Sequence, residues 1–372
     1  MNIRTQDQGR EHVRELLIDD QVASWLTVID YVIRIGTARV RMAGIGGVHT
    51  HKEHRMKGHM RALIEDTLAY VTREGHDVSM LFGIPNFYDK FGYASCLPEY
   101  SVKVQTRDAE QARTDAVACK TRPVEKRDWD AVLALYERCN ATRTASIVRS
   151  LENFYGFYKG STYRTATEAV LWEDQARRLT AYAVWDEDDQ AVNVVEVHSA
   201  QPEMFPTLLY AFAQQAIAKR CGEITLFLPP DHPFAEFLQR YGCEWRVRYP
   251  ARADGMMRLL NQATFFAKIG PELERRVAVS PLAGLTRSLR IETDIGKTTL
   301  EFQHGKLTDS TDAPAENAIT LPQGKLMQLV TGCRSARDLV SDPEVRVQGE
   351  VRPLLETLFP QGHPYVWLAD YF

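Results

Sequence analysis

The stretch Gly47-Val48-His49-Thr50-His51-Lys52-Glu53-His54-Arg55-Met56-Lys57-Gly58-His59-Met60-Arg61 reads as a strand, a loop and the start of a helix. Beyond Gly58, apolar residues fall at Met60, Leu63, Ile64, Leu68 and Val71, the spacing of one helical face, while Arg61, Glu65, Asp66 and Arg73 lie off it and Gly75 marks its end. A helix start presents unpaired backbone N–H groups and the positive end of a dipole, and a glycine there lets a pyrophosphate approach the main chain. Arg55 and Lys57 add charge. The same residues also suit a solvated loop with a turn glycine, so on their own they leave both readings open.

Outward from this stretch, residues 22–50 alternate and are rich in β-branched side chains. Ser24 to Arg34, a turn at Ile35-Gly36 and Ala38 to Met42 predict a hairpin. Gly44 to Thr50 is expected to follow as a further strand, whose glycines weaken it but let another backbone or a ligand come close. Val78 to Gly83 predicts a short buried strand, and Asn86 to Phe91 a helical turn entered after Pro85 and stopped by Gly92. A second unit begins near Cys119-Lys120-Thr121-Arg122-Pro123. It carries a helix over Glu125 to Arg138, strands around Val170 and Val194, and a helix over Pro206 to Arg220. Its Phe237-Leu238-Gln239-Arg240-Tyr241-Gly242-Cys243 echoes Phe87-Tyr88-Asp89-Lys90-Phe91-Gly92-Tyr93, which suggests a duplicated fold. From about Pro271 the texture changes to alternating strands at 289–293 and 298–302, and a helix over Gly324 to Thr331. The chain ends on Trp367-Leu368-Ala369-Asp370-Tyr371-Phe372, and an apolar end of this kind tends to be tied down.

With 372 residues the chain has room for two or three domains, each with a core of its own. Its 44% hydrophobic and 25% charged residues are those of an ordinary globular protein. A net charge of −4 gives no reason to expect general affinity for nucleic acid or anionic membrane. The N-terminus lacks the apolar core of a signal peptide and no segment is apolar for a membrane span, so a cytoplasmic protein is expected. Cys96, Cys119, Cys139, Cys221, Cys243 and Cys333 stand singly, without the paired spacing of zinc or redox sites, and are expected as buried reduced thiols.

Gly-Val-x-Thr-x-x-x-x-Arg-x-x-Gly at 47–58 resembles the acetyl-CoA signature of the GNAT superfamily of N-acetyltransferases, and Asn86 to Tyr93 resembles its fourth-helix motif. The two occur in the right order about thirty residues apart. The three-part layout and the aromatic C-terminus are similar in particular to the enhanced-intracellular-survival (Eis) type, a resemblance that covers nearly the whole chain. It implies an α+β fold in three parts: a GNAT domain over 1–115, a degenerate GNAT-like domain over 116–267 and a sterol-carrier-protein-like domain over 268–372. It also implies a homo-oligomer, commonly a hexamer. The GNAT domain is expected to lack its first strand and the two helices that usually wall the acceptor site, because by this resemblance the chain starts just before the second strand.

The resemblance further implies that Val48, His49 and Thr50 offer main-chain groups to the pantetheine arm of acetyl-CoA. Arg55, Met56, Lys57, Gly58, His59, Met60 and Arg61 would cradle the pyrophosphate, and Gly83 and Ile84 would line the cofactor's far side. Met60 departs from the small residue of the wider superfamily. Tyr88 would be the general acid and the free carboxylate of Phe372 the general base, with the oxyanion held by a backbone N–H near Val48. A tyrosine of pKa near ~10 suits a thiolate leaving group of pKa about 8–9. The acceptor is a primary amine, whether a small molecule, an aminoglycoside-like compound or a lysine side chain. The alternative from another class is a non-catalytic acyl-CoA- or lipid-binding protein. Joint retention of Tyr88 and an unextended Phe372 favours the enzyme. His49, His51, His54 and His59 are not spaced as a metal pair, and no metal is expected. Cys96 has no adjacent base and reads as a packing residue.

Overall fold

The long alternating run that opens the chain pairs with itself as an antiparallel meander. A computed structural model describes residues 2–162, 164–311 and 315–372. Its first strands are Asn2–Gln8 (β1), Glu11–Ile18 (β2), Gln21–Ile35 (β3) and Ala38–Thr50 (β4), each antiparallel to the next. The strand expected separately at Gly44 to Thr50 is the second half of β4, continuous with the first across its glycines.

The expectation of a missing first strand is corrected by β1, which forms the sheet edge and reaches β2 through a tight turn at Gly9 (φ +68°). Among the described residues no helix intervenes there. The strand escaped the sequence pattern for a physical reason. Asn2-Ile3-Arg4-Thr5-Gln6-Asp7-Gln8 lies on an exposed edge, so no buried face imposes an apolar alternation on it.

The later strands are Val78–Gly83 (β5), Ala94–Leu97 (β6), Glu99–Gln105 (β7), Lys120–Pro123 (β8), Thr167–Glu173 (β9), Leu179–Asp186 (β10), Asn193–Ser199 (β11), Glu223–Leu226 (β12), Cys243–Arg248 (β13) and Asp254–Leu259 (β14). The last third adds Arg287–Thr293 (β15), Gly296–Gln303 (β16), Lys306–Thr311 (β17), Asn317–Thr320 (β18) and Arg346–Gln348 (β19). The first sheet runs β1-β2-β3-β4-β5-β14-β6, and the second, read from its other edge, β8-β9-β10-β11-β12-β7-β13. In each, four strands lead to one parallel pair, β4 with β5 and β11 with β12. The next position is filled by a strand from the other half of the chain, β14 in the first sheet and β7 in the second. The two units are thus duplicates that exchange one strand, which accounts for the echo between the segments at 87–93 and 237–243.

The helix His59–Arg73 (α1) crosses from β4 to β5 and packs Leu63, Ile64, Leu68 and Val71 on Leu26, Val28, Ala43 and Ile45. The opposite face of the first sheet carries Ile33, Ile35, Val40 and Met42, covered by Phe265, Phe266, Ile269 and Leu273 of the helix Gln262–Ala278. Each such side chain contributes roughly 1.5–3 kcal/mol by burial. The third sheet, β17-β16-β15-β18-β19, shares that same core. Glu272 in this helix accepts from the Thr37 hydroxyl at 2.7 Å and binds Arg275 and Arg276, tying the last unit to the β3–β4 turn. A Cβ at Gly36 would collide with its carboxylate.

All six cysteines are free, but only Cys96 is fully buried; Cys139 is exposed and the rest are half-buried, so burial of all six does not hold. Most lie at the ends of surface elements, where a thiol needs no partner. Among the described residues no helix is long and apolar enough to cross a membrane.

Candidate active site

The parallel pairing of β4 with β5 covers only Met42↔Val78, Ala43↔Ser79 and Gly44↔Met80, after which no pairing joins the two strands. A cleft therefore opens between Ile45 to Thr50 and Leu81 to Gly83. On its other side β4 stays paired with β3, except that the register slips between Trp25 and Thr27: Trp25 faces His49 while Thr27 faces Gly46. Two steps on β3 match three on β4, which is a bulge, and Gly47 takes φ +58° within it. A bulge releases backbone groups from the ladder, so the main chain at Gly47-Val48 can offer an N–H to a ligand. The glycines at 44–47 are explained by this, together with what packs on them.

What packs on them is the chain end. A Cβ at Gly44 would come within 2.9 Å of the Phe372 ring, and one at Gly46 within 3.1 Å of the terminal carboxyl carbon. The Phe372 ring packs on Tyr31 (5.4 Å between centroids) and Phe82 (5.4 Å), and Tyr371 stacks on Phe82 at 3.8 Å. The terminal carboxylate thus lies against β4 beside the bulge.

The tail that brings it there is anchored along its length. Tyr365 donates its hydroxyl to the Phe227 carbonyl (2.7 Å) and Trp367 its indole N–H to Asn140 (2.9 Å). Asp370 accepts from Arg149 through both oxygens (2.8 and 3.0 Å), and Arg149 also binds Glu196 in a bidentate pair at 2.8 Å. Lys159 donates to the Tyr371 carbonyl. Arg149, Glu196 and Asp370 are all buried, with Tyr136 and Tyr182 donating to the carboxylates. Burial works against the charge on Arg149, but Asp370 and Glu196 outweigh it and raise its pKa. Burial pushes the Asp370 carboxyl up, against the pull of Arg149.

Tyr88 stands in the 3-10 turn Tyr88–Phe91, which Gly92 ends at φ +77°. Its ring covers Gly83 so closely that a Cβ there would come within 2.5 Å. Arg258 of β14 donates to the Phe91 carbonyl and Gln323 of the last unit to the Gly92 carbonyl, so this turn is held by both other parts of the chain. Tyr88 is 7% exposed, and burial raises its pKa. Its hydroxyl has no hydrogen-bond partner among the described residues, yet it is not sealed from solvent.

At the far end of the cleft the loop closes on itself through Arg55 Nε and the Thr50 carbonyl (3.1 Å). Met56 (φ +61°) and Lys57 are exposed, and Gly58 caps α1 at φ +80° with open space where a Cβ would project. Gly58, His59, Met60 and Arg61 form the first turn, whose N–H groups face away from the helix body. Met60 is half-buried against the α1 core, so its bulk is taken up by packing. His59 is held below its usual pKa by desolvation and by His54 and Lys57. Ile84 is 65% exposed beside the cleft. The expected positions at Val48 to Thr50, Gly83, Ile84 and Tyr88 thus flank the gap where β4 and β5 part, Arg55 to Arg61 follow in the loop and first turn beyond it, and Phe372 lies against β4 at Gly44 and Gly46.

His49 stacks on Trp25 at 4.3 Å, and among the described residues no three histidine, cysteine or acidic side chains are placed to hold a metal. Burial pushes the Cys96 thiol well up, which suits packing rather than covalent chemistry. The network of Arg149, Glu196 and Asp370 was not anticipated. The available signal was Glu196 within Asn193-Val194-Val195-Glu196-Val197, a charge in an apolar strand that demands a partner.

Residues 5–96 match the family model of the acetyltransferase (GNAT) domain. Curated proteins give no match. Among solved structures, a conserved protein of unknown function from Enterococcus faecalis V583, described as a probable N-acyltransferase, is 17% identical. Its TM-score is 0.78 over 98% of this chain and 90% of its own. A GCN5-related N-acetyltransferase from Kribbella flavida is 20% identical, with a TM-score of 0.73 over 97% of this chain and 88% of its own. Eis1 from Mycobacterium abscessus is 16% identical, with a TM-score of 0.66 over 98% of this chain and 91% of its own. At these identities the likeness is one of fold, and it extends over nearly the whole chain.

Proposed function

We propose that this chain, an N-acetyltransferase by its GNAT domain, moves an acetyl group from acetyl-CoA to a primary amine by direct attack, with Tyr88 as general acid and the Phe372 carboxylate as general base. The observation that carries this reading is the terminal carboxylate held against Gly46, beside a bulge that frees the backbone at Val48. An α-carboxylate of pKa near ~3.5 is ionised at neutral pH and takes a proton, through a water, from the ammonium acceptor. The amine then attacks the thioester carbonyl. A C–N bond forms and the oxyanion is met by the Val48 N–H; the nitrogen, positively charged after attack, gives its second proton to solvent through the same water, and as the oxyanion collapses the C–S bond breaks and Tyr88 protonates the thiolate. Tyr88 and the carboxylate exchange protons with solvent afterwards. An oxyanion donor and a positioned acid are each worth roughly 10²-fold or more.

The same reading assigns the pyrophosphate to the first turn of α1 with Arg55 and Lys57, and the pantetheine arm to Val48, His49 and Thr50 opposite Gly83 and Ile84. In the second unit the tail segment Tyr365 to Asp370 packs beside β11 and the end of β12, where the duplicate of the cofactor cleft lies. This supports a degenerate second domain that holds the tail instead of a cofactor. The sterol-carrier likeness of the last unit, a cytoplasmic location and a homo-oligomeric, possibly hexameric assembly belong to the Eis-type reading as a whole.

The test is extension of the chain. One residue added after Phe372 moves the carboxylate by about 3.5 Å, beyond hydrogen-bond reach. Transfer should fall at least about a hundredfold while acetyl-CoA still binds by calorimetry. Normal turnover by the folded, extended protein would overturn the role of Phe372.

A further inference from the structure

Beside the terminal carboxylate lies a cavity of about 260 Å³, and its walls come from three places. Arg10, Glu11, Thr27, Ile29 and Tyr31 belong to the first sheet and its β1–β2 turn, and Asp370 to Phe372 to the tail. The third wall is the segment Asn153 to Lys159 of the second unit, which stands against the face where a tight turn joins β1 directly to β2.

Arg10 is the unusual member. Its guanidinium lies between two rings, 5.0 Å from the centroid of Tyr31 and 4.7 Å from that of Tyr155, and its Nε donates to the Tyr155 hydroxyl at 3.1 Å. Among the described residues no carboxylate lies within ion-pair distance of it, and its Nη1 is buried without a hydrogen-bond partner. Leaving a half-buried cation without an anion is costly, and most structures avoid it. The other charged groups facing the cavity are already engaged or of opposite sign. Asp370 is spent on Arg149, Lys159 donates to the Tyr371 carbonyl, and Glu11 and the chain terminus are anionic. The cavity therefore offers two anionic groups, Glu11 and the chain terminus, and over the face of Tyr31 a cation without a counter-ion.

We infer that the acceptor is a small amine that also carries a carboxylate, its ammonium directed to the Phe372 terminus and its carboxylate to Arg10. The inference rests on the acetyltransferase reading above and deepens it. Size agrees, since a cavity of about 260 Å³ is below the ~300–1,000 Å³ of sites for drug-sized molecules and suits a small molecule. The rim agrees too: Tyr155 and Tyr158, 55% and 70% exposed, line the cavity and offer aromatic surface for the short apolar body between the two charges.

The experiment measures thiol release from acetyl-CoA with amino carboxylates of three to six carbons, their carboxamides, the corresponding amines lacking the carboxylate, and an aminoglycoside. The amino carboxylates should exceed their carboxamides at least about tenfold in kcat/KM. Arg10→Gln should abolish that preference by raising KM for the carboxylates alone, and Arg10→Lys should restore part of it. Carboxamides acetylated as well as carboxylates, or an Arg10→Gln variant that slows both alike, would overturn the inference. Turnover of the aminoglycoside alone overturns it while leaving the transferase intact. A protein that binds acetyl-CoA yet acetylates nothing in the panel overturns both.

Discussion

Tyr88 combines a ring packed tightly over Gly83 with a hydroxyl that has no partner among the described residues and is open to solvent. The hydroxyl is thus free to meet a ligand from the solvent side while the ring stays fixed. Burial raises its pKa, which keeps the proton on at neutral pH until a thiolate demands it. Tyr88→Phe deletes only the oxygen, so kcat should fall about a hundredfold with acetyl-CoA affinity unchanged, read by steady-state kinetics beside calorimetry. Near-normal turnover would return Tyr88 to the core formed with Phe87 and Phe91. At this scale, residues were legible when a motif carried them, as with Tyr88 in Asn86 to Tyr93. Arg149, Glu196 and Asp370 were not, because the partners are separated by 47 and 221 positions and only the folded chain brings them together. Arg10 was hidden in the same way, its meaning resting on Tyr31 and Tyr155.

Among the elements, α1 was the most legible, since a single apolar stripe and a glycine on each side set its limits. The bulge in β4 was half-legible: Gly44-Ile45-Gly46-Gly47 announced a close approach but not that the chain's own terminus makes it. β1 went unseen because a polar edge strand carries little pattern, and β2, an inner strand, because its apolar residues crowd at Leu16-Leu17-Ile18, where the register slips, instead of alternating. The conformation of Gly58 decides how the cradle can be tested. At φ +80° a β-branched residue would strain the backbone as well as crowd the pyrophosphate, so a valine there would confound two effects. Asparagine tolerates the left-handed region. Gly58→Asn should therefore keep the helix, checked by an unchanged melting temperature, and weaken acetyl-CoA binding at least tenfold, or ~1.4 kcal/mol. Unchanged affinity in calorimetry would place the pyrophosphate elsewhere.

Over the whole molecule, the exchange of β7 and β14 makes the two halves inseparable, and the last unit closes on the first through Glu272 and Gln323. The duplication was visible as an echo of seven residues, whereas the exchange was not, since a strand's partner lies outside its own pattern. The tail uses this architecture. From Tyr365 to Tyr371 it is fixed to groups of the second unit, and its last two residues reach the first sheet, Tyr371 through Phe82 and Phe372 through Gly44 and Gly46. A carboxylate on a free end would sample many positions, and small misplacements of a catalytic group cost orders of magnitude in rate. Asp370, two residues from the end, is the last side chain of the tail held by an ion pair.

Replacing it by asparagine keeps the shape and removes the charge, while Arg149 retains its bidentate bond to Glu196. Asp370→Asn is therefore expected to lose roughly 1.5–3 kcal/mol of stability, the range for hydrogen bonds to charged groups, and to remain folded. If the network serves to aim the terminus, the folded variant should lose about tenfold or more in kcat at unchanged acetyl-CoA affinity. Appending a residue after Phe372 should then add little further loss, because the base is already misplaced. A purely structural network predicts otherwise: a lower melting temperature, normal kcat for the folded fraction, and an extension that still costs its full hundredfold. The double variant separates the two, since groups that act through one another are non-additive while independent ones multiply.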